Sequence, residues 1–297
     1  MVSRATKETA MAWLLIAASS VCILIVFLIF LFLFREAAPF AANPGLGSLL
    51  DTRWTPVSFQ QQRFGILPLV TGSFLVTLLA TLFAVPFGVC AAVYIAEVAR
   101  PAEREFLKPF IELMAAIPSV VLGFFGLVVL APLVKQAFNL PTGLTALTGA
   151  ILLALMAIPT ITSISEDAIR SVPRSYREAS LALGATEMQT VWRVTVPAGL
   201  SGIVAAVMLG MGRVIGETMT VLMVTGNAAI MTLSPVQSVR TMTATIAAEM
   251  GEVANGSTLY HVLFLIGLVL FLISLAVNIT ASSVIFKSKK RAERVLS

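Results

Sequence analysis

Two charged residues lie inside a long apolar stretch of the sequence. Residues 199–226 read GLSGIVAAVMLGMGRVIGETMTVLMVTG, and Arg213 and Glu217 are their only charged members. A charge near the centre of a bilayer costs about 2.5–3.5 kcal/mol on insertion scales, so such residues usually face protein or water and serve a transport path. Because the two residues are four apart, a continuous helix would place them on one face. We predict either a packing pair or a pair on the route of an ion.

An anion is the ion that Arg213 suits. Its guanidinium offers a permanent charge and paired donors for an oxyanion, which cannot cross a low-dielectric path uncompensated. Glu217 would restrain Arg213, because a permeating ion must also leave. Thr218 and Asn227 are further candidates for this path. In the alternative, Arg213 and Glu217 neutralise each other and Gly212-x-x-x-Gly216 packs closely against another helix.

The composition indicates that membrane helices carry these residues. Of the 297 residues, 58% are hydrophobic and 12% are charged, whereas a soluble domain has about 25% charged residues. A spanning helix needs about 20 predominantly apolar residues, and the continuous runs do not resemble the alternating strands of a membrane β-barrel. The first run is too long for the apolar part of a signal peptide. We predict an all-α membrane protein with six transmembrane helices, at 11–34, 66–96, 110–134, 147–169, 200–228 and 259–286.

Lysine and arginine residues predict the orientation of these helices. With both termini in the cytoplasm, the inner segments contain 14 of the 20 basic residues and the outer segments contain 5. Such a bias marks the cytoplasmic side. The net charge of +5 is therefore a topology signal, and the basic C-terminal tail suits anionic lipid headgroups. It calls for no nucleic acid partner.

The chain divides into an N-terminal part and a larger membrane domain. Residues 1–65 contain the first helix and an outer loop, and residues 66–297 contain the other five helices with a long inner loop at 170–197. Pro118 and Pro159 lie within two predicted spans and are followed by hydroxyl residues. Prolines kink helices, and in lipid the freed backbone groups must meet protein or a cavity. Simple kinks and a polar lining of a path both remain open.

Motifs for catalysis and cofactor binding are absent from the sequence. No GxxxxGK[ST] phosphate loop occurs, so the chain does not bind ATP by that route. The single histidine, His261, excludes a metal site built on several histidines. We therefore predict no enzymatic activity and no cofactor in this chain alone.

The inner loop has the sequence pattern of two short helices. Residues 171–197 read SVPRSYREASLALGATEMQTVWRVTVP, in which Ser175-x-x-Glu178 and Thr186-x-x-Gln189 are candidate capping boxes. Gly184 lies between them, where a left-handed helix end favours a residue without a Cβ. The pattern predicts two helices joined at Gly184, with exposed apolar residues for a partner. A helix lying on the membrane surface is the alternative.

The same loop resembles the EAA motif, E-A-A-x3-G-x9-I-x-L-P, of ABC importer permeases. Glu178-Ala179-Ser180 is followed by Gly184 and by Val194-Thr195-Val196-Pro197 at the motif's spacing. Ser180, Val194 and Val196 depart mildly from it. The resemblance implies a type I permease fold for residues 66–297. It also implies that the loop couples to an ATPase subunit through these motif residues: Glu178, Ala179, Ser180, Gly184 and Pro197. Capping of its own helix by Glu178 is a competing role.

Three longer segments resemble the permease subunits of phosphate-specific ABC importers, in their PstC form. They are residues 108–132, 154–186 and 210–227, where GMGRVIGETMTVLMVTGN carries Arg213 and Glu217. This resemblance implies a bacterial inner-membrane subunit that transports phosphate. Its implied partners are a related permease subunit of the PstA type, two ATPase subunits that hold ATP and Mg²⁺, and an outer phosphate-binding protein. The rival hypotheses are a sulfate or molybdate permease, a channel or secondary transporter working alone, and a sensor or scaffold protein.

Overall fold

The protein is α-helical apart from one short hairpin. The structure is a computed structural model that describes residues 4–58 and 61–296. Two strands, β1 (Trp54–Thr55) and β2 (Arg63–Phe64), pair antiparallel. The helices are α1 (Arg4–Phe40), α2 (Leu67–Val93), α3 (Pro101–Ala115), α4 (Ser119–Phe125), α5 (Ala131–Ala137), α6 (Ala146–Arg170), α7 (Arg174–Ala182), α8 (Glu187–Thr190), α9 (Val196–Ala198), α10 (Leu200–Gly216), α11 (Met219–Val224), α12 (Met242–Glu249) and α13 (Thr258–Leu296).

The helices that can cross a membrane agree with the predicted number of spans. Within the described residues, five segments are long and apolar enough, and a sixth arises if the pair Glu187–Ala198 and Leu200–Gly216, bent by 68°, counts as one span. The five are Met11–Leu50, Leu67–Val98, Ser119–Ala137, Ala146–Arg170 and Thr258–Thr280. The prediction of an all-α, six-span membrane protein is confirmed if this pair is counted as one span. The boundaries differ most from the predicted ones for the first, third and fifth spans.

The predicted third span, 110–134, is wrong as a single helix. Helix α3 ends at Ala115, and helical structure resumes only at Ser119. Pro118 lies between them with an extended backbone (φ −60°, ψ 136°). Proline has no N–H to donate and disfavours helical geometry at the residue before it. The chain therefore breaks at 116–118, and the third span begins only at Ser119.

The predicted fifth span, 200–228, is also broken. Helix α10 ends at Gly216, Glu217 is extended (φ −68°, ψ 132°), and α11 begins at Met219. The prediction that Arg213 and Glu217 share one face of a continuous helix is therefore wrong. An apolar pattern reports burial in lipid, and it does not report whether the backbone turns within that layer.

Three helices form the centre of the structure. Helices α2, α6 and α10 pack with α11 around a buried apolar cluster. Ile161 of α6 lies against glycines on both neighbours: a Cβ at Gly88 would lie 2.8 Å from its Cγ2, and a Cβ at Gly210 2.6 Å from its Cγ1. The Thr162 hydroxyl also donates to the Gly88 carbonyl over 3.1 Å. Close approach through small residues is the usual way for membrane helices to associate.

A second apolar cluster joins the N-terminal part to the rest of the chain. Phe40, Trp54 and Phe64 are buried against α2, α12 and α13. Behind them the Trp54 indole donates to Glu249 Oε1 over 3.1 Å, and Arg240 lies 2.7 Å from the same carboxylate oxygen. The segments predicted as outer loops thus contain a hairpin and a short helix with a shared core.

Candidate functional site

Arg213 lies next to the two helix breaks, at 116–118 and 217–218. Its Nη1 donates to Thr160 Oγ1 over 3.3 Å, and its Nη2 donates to the carbonyl of Ala115 over 3.4 Å. Ala115 is the last residue of α3 before the first break. At the second break, the Thr220 hydroxyl donates to the Ser119 carbonyl over 3.1 Å. The side chain of Arg213 remains exposed, so a cation stands at an open surface beside both interruptions.

The depth of this site follows from its partner on α6. Thr160 is ten residues from Arg170, where this 25-residue helix ends. At a rise of 1.5 Å per residue, it lies about 15 Å along a helix of about 38 Å, near its middle. Irregular backbone at membrane depth is tolerated only where it is buried in protein or faces water. The two breaks around Arg213 are therefore typical of a site that lines a cavity.

Glu217 does not pair with Arg213. Its Oε1 accepts from the backbone N–H of Thr220 over 3.3 Å and from the Thr220 hydroxyl over 3.4 Å. Its carbonyl accepts from the Thr243 hydroxyl over 2.9 Å. Within the described part of the chain no ion pair joins Arg213 and Glu217. The prediction that Glu217 restrains Arg213 is therefore wrong, and so is the alternative in which the two residues neutralise each other. The carboxylate instead caps the first turn of α11, where backbone donors lack helical partners.

The remaining residues of this candidate site have local roles. A Cβ built on Gly212 or Gly216 meets no described atom within 4 Å beyond its own helical turn. Among the described residues these glycines therefore pack on no other helix, and they leave an open face next to Arg213. Thr218 Oγ1 donates to the Gly216 carbonyl over 3.2 Å. Asn227 lies beyond the far end of α11 at φ 51° and donates to the Leu222 carbonyl over 2.7 Å.

The inner loop forms the predicted helical hairpin, with one of its two caps. Thr186 and Gln189 form a complete capping box at α8. Helix α7 begins at Arg174 after Pro173 and has no side-chain cap, so the predicted Ser175–Glu178 box is wrong. Proline suits the start of a helix because its missing N–H would have no helical partner there. Glu178 is exposed and makes no capping bond among the described contacts.

Gly184 forms the corner between α7 and α8. Its φ is 87°, its N–H donates to the Leu181 carbonyl over 2.9 Å, and the Ala185 N–H donates to the Ser180 carbonyl over 3.2 Å. These are the two hydrogen bonds of a Schellman motif. The Ser180 and Thr190 hydroxyls lie 2.9 Å apart and join the two helices. The predicted corner is confirmed, and its helices are held in a fixed arrangement.

A substitution of Gly184 tests this corner. We expect Gly184→Val to destabilise the hairpin by about 1–2 kcal/mol, because a left-handed residue with a Cβ is disfavoured by about that amount. Limited proteolysis of the purified protein should then cleave residues 171–197 faster. Gly251→Val is the matched control, because a Cβ there meets no described atom within 4 Å and the residue has no positive φ. Equal cleavage of the two variants would contradict the prediction.

The hairpin exposes a groove between its helices. A cavity of about 390 Å³ is lined by Tyr176, Ala179, Ser180, Leu183, Ala185, Gln189, Arg193 and Val194. Leu183 is 90% exposed, and Glu178 and Ala179 are also exposed. Pro197 lies in α9, beyond the hairpin and before α10. Four of the five motif residues therefore lie in the hairpin, and Pro197 lies in the segment that connects it to α10.

An ion-pair network that no sequence motif indicated lies next to this hairpin. Lys108 Nζ of α3 lies 2.8 Å from Glu166 Oε2 and 2.9 Å from Asp167 Oδ1, and Arg170 Nη1 lies 3.2 Å from Glu166 Oε1. The Glu166 side chain is only 2% exposed. Hydrogen bonds to Glu166 and then to Asp167 raise the pKa of Lys108 above its usual value. Helix α3 is thus attached to α6 near the hairpin. The carbonyl of its last residue, Ala115, accepts a hydrogen bond from Arg213.

Comparison with known proteins identifies the family. Residues 84–285 match the family described as binding-protein-dependent transport system inner membrane component. The chain is 43% identical over 226 residues to the probable ABC transporter permease protein YqgH of Bacillus subtilis, covering 76% of this chain and 73% of that protein. It is 34% identical over 249 residues to the phosphate transport system permease protein PstC of Mesorhizobium japonicum, covering 77% and 75% of the two chains.

Solved structures share the fold at low sequence identity. A chain of a bacterial ABC transporter involved in the import of the acidic polysaccharide alginate aligns with a TM-score of 0.62 at 17% identity, covering 96% of this chain and 99% of that one. A chain of the inward-facing MetNI methionine ABC transporter aligns with a TM-score of 0.53 at 21% identity, covering 74% and 94%. The protein is a multi-pass protein of the cytoplasmic membrane. It belongs to the family of binding-protein-dependent transport system inner membrane components, as an ABC importer permease subunit.

Proposed function

We propose that this permease subunit belongs to an ATP-driven phosphate importer and forms one half of its translocation path. The observation that carries the proposal is Arg213, an exposed cation near the middle of the helices, beside two helix breaks. Relatives named phosphate transport system permease proteins support phosphate as the substrate. A sulfate or molybdate permease, the alternative from the sequence, would also need a positive charge in its path, because its substrate is an anion too.

The contacts of Arg213 suit a site that binds an anion briefly. Its two partners are a neutral hydroxyl and a neutral carbonyl, at 3.3 and 3.4 Å. These long hydrogen bonds hold the guanidinium in place and leave its charge uncompensated. Phosphate can replace them with charge-assisted bonds, which are stronger. Glu217 acts in this path by holding the break at α11, and Thr218 lies in the same turn; Asn227 supports the far end of α11.

The open face next to Arg213 supports a path between two permease subunits. Gly212 and Gly216 leave that face without side chains, and no described atom lies within 4 Å of where their Cβ atoms would be. Membrane helices approach one another most closely at such small residues. A related subunit of the PstA type opposite this face would enclose the path and complete the anion site.

The inner hairpin supports coupling to ATPase subunits. Its groove presents Ala179, Ser180 and Leu183, with Glu178 exposed beside it. We assign this surface to one of two ATPase subunits, which would hold the ATP and Mg²⁺ of the complex. Both termini would then face the cytoplasm. The hairpin of β1 and β2 and helix α12 would face the outer phosphate-binding protein.

Transport by the reconstituted complex tests this function. Proteoliposomes containing this subunit and its permease and ATPase partners should accumulate labelled phosphate when ATP and the outer binding protein are supplied. A tenfold excess of sulfate or molybdate should not compete. Competition by either oxyanion would overturn phosphate as the substrate. Phosphate uptake by this chain alone without ATP would overturn the importer, and complex assembly without flux would favour a scaffold role.

A further inference from the structure

A basic cavity lies on the other side of the hairpin from the groove, where α3, α6 and α7 meet the helical turn Tyr94–Val98 that follows α2. It has a volume of about 390 Å³, within the range of small-ligand sites. Its lining contains four arginines and two glutamates, a formal charge of +2: Ala96, Glu97, Arg104, Arg170, Arg174, Arg177 and Glu178. The proposed path does not use this cavity, and Glu178 is the one lining residue that the cavity shares with the surface assigned to the ATPase.

Two of the arginines build its walls. Arg104 donates to the carbonyls of Ile95 and Ala96 over 2.9 and 2.8 Å. Arg177 pairs with Glu97 and donates to the carbonyls of Ile169 and Val172. Carbonyls at helix ends need such donors. Arg104 and Arg177 are therefore held by backbone groups, and Glu97 is already neutralised by Arg177. The Nε of Arg177 is buried without a hydrogen-bond partner among the described atoms.

The other two arginines have N–H donors without partners among the described atoms. Arg174 is exposed and forms no ion pair or hydrogen bond among the described contacts, including none with Glu178 one turn along α7. Arg170 meets only Glu166 there, through Nη1 over 3.2 Å, and Glu166 is shared with Lys108. A guanidinium has five N–H donors. Arg170 and Arg174 therefore bring unused donors and uncompensated charge to one cavity.

We propose that this cavity binds a phosphate group between Arg170 and Arg174, as the headgroup of an anionic lipid or as free inorganic phosphate. Arginine forks match phosphate geometry, and basic pockets between membrane helices on the cytoplasmic side bind anionic headgroups. The bound group would join α6 to the first turn of α7 and so fix the coupling hairpin against the spans. Binding itself does not depend on the proposed transport path; only its effect on the hairpin does.

Binding by the purified full-length protein tests the site with two separate probes. One arm measures the phosphatidylglycerol retained by protein from nanodiscs that contain phosphatidylglycerol and phosphatidylcholine. The other arm measures equilibrium binding of labelled inorganic phosphate to protein in neutral detergent. We expect binding in one arm, reduced about tenfold by Arg174→Gln, because a charge-assisted contact is lost. The arm that responds identifies the source of the phosphate group.

Matched variants distinguish this site from the path. Arg193→Gln removes an exposed arginine from the opposite groove of the same hairpin and should leave binding unchanged. Arg213→Gln should leave phosphatidylglycerol binding unchanged. In the inorganic phosphate arm, Arg174→Gln should lower binding by the same factor in an Arg213→Gln background, so a failure of the proposed path does not affect the result. Loss of the same size in Arg193→Gln, or no binding above background in both arms, would overturn the proposal. The second outcome would favour an acidic segment of a partner protein in this cavity.

Discussion

Arg213→Gln is expected to reduce phosphate uptake by the assembled transporter at least about 30-fold. The loss of a desolvated charge partner usually removes 2 kcal/mol or more, and about 1.4 kcal/mol corresponds to a factor of ten. Glutamine keeps donors for Thr160 and Ala115, so the helices should stay in place while the positive charge is removed. The measurement is the initial rate of labelled phosphate uptake in proteoliposomes, together with copurification of the ATPase subunits.

Three further variants separate charge from position. Arg213→Lys keeps the charge without the paired donors and should give an intermediate rate. Lys135→Gln removes an exposed charge at the end of α5, away from the path and the ATPase groove, and controls for net charge. Glu217→Gln keeps an oxygen acceptor for the Thr220 N–H, so it should change uptake far less than Arg213→Gln. Normal uptake by Arg213→Gln would remove Arg213 from the path, and an equal loss in Glu217→Gln would show that its charge is required.

Lys108→Met is expected to destabilise the protein by about 1–3 kcal/mol. The buried Glu166 carboxylate would lose its 2.8 Å donor and keep only Arg170 at 3.2 Å. Breaking a fully buried pair costs about 3–5 kcal/mol, and the remaining partner lowers that value. Because α3 also carries the carbonyl that holds Arg213, we expect uptake per ATP hydrolysed to fall as well. Thermal unfolding in detergent and the ratio of uptake to ATP hydrolysis are the measurements.

Two control variants separate the effect of the Lys108 charge from the effect of removing any lysine. Lys108→Arg should keep most of the stability, and Lys135→Met removes an exposed lysine at the end of α5 and should be neutral. Adding Glu166→Gln to Lys108→Met should recover part of the stability, because the buried charge no longer lacks a partner. If Lys108→Met and Lys135→Met unfold at the same temperature, the network does not stabilise α3.

The contribution of Lys108 should not vary between pH 6 and pH 9. Its pKa is raised in the folded protein, so its contribution is complete below the unfolded value of about 10.4. It is lost only as the pH rises through the higher folded pKa. The difference in unfolding temperature between the natural protein and Lys108→Met should therefore be constant over this range. A marked change would show that another group controls the attachment of α3.

The sequence determined the features that depend on neighbouring residues. Apolar runs determine insertion into a membrane because each residue contributes to transfer free energy wherever it packs. The Gly184 corner and the Thr186 cap were also predictable, since their hydrogen bonds lie within a few residues. The missed cap at Ser175 shows the limit of such patterns. Pro173 provides a start two residues earlier, where its carbonyl accepts from the Tyr176 N–H over 3.2 Å.

The tertiary structure decided what each charged residue contacts. Arg213 bonds to residues 53 and 98 positions away, and Lys108 pairs with a residue 58 positions away. The sequence suggested Glu217 for Arg213, because an apolar run looks like a continuous helix. The backbone turns at Glu217 instead. There the Thr220 N–H donates to the Glu217 carboxylate, and the Thr243 hydroxyl donates to the Glu217 carbonyl. A helix can end inside a membrane only where other parts of the protein or water supply hydrogen bonds, and the packing of α4, α11 and α12 determines where that occurs.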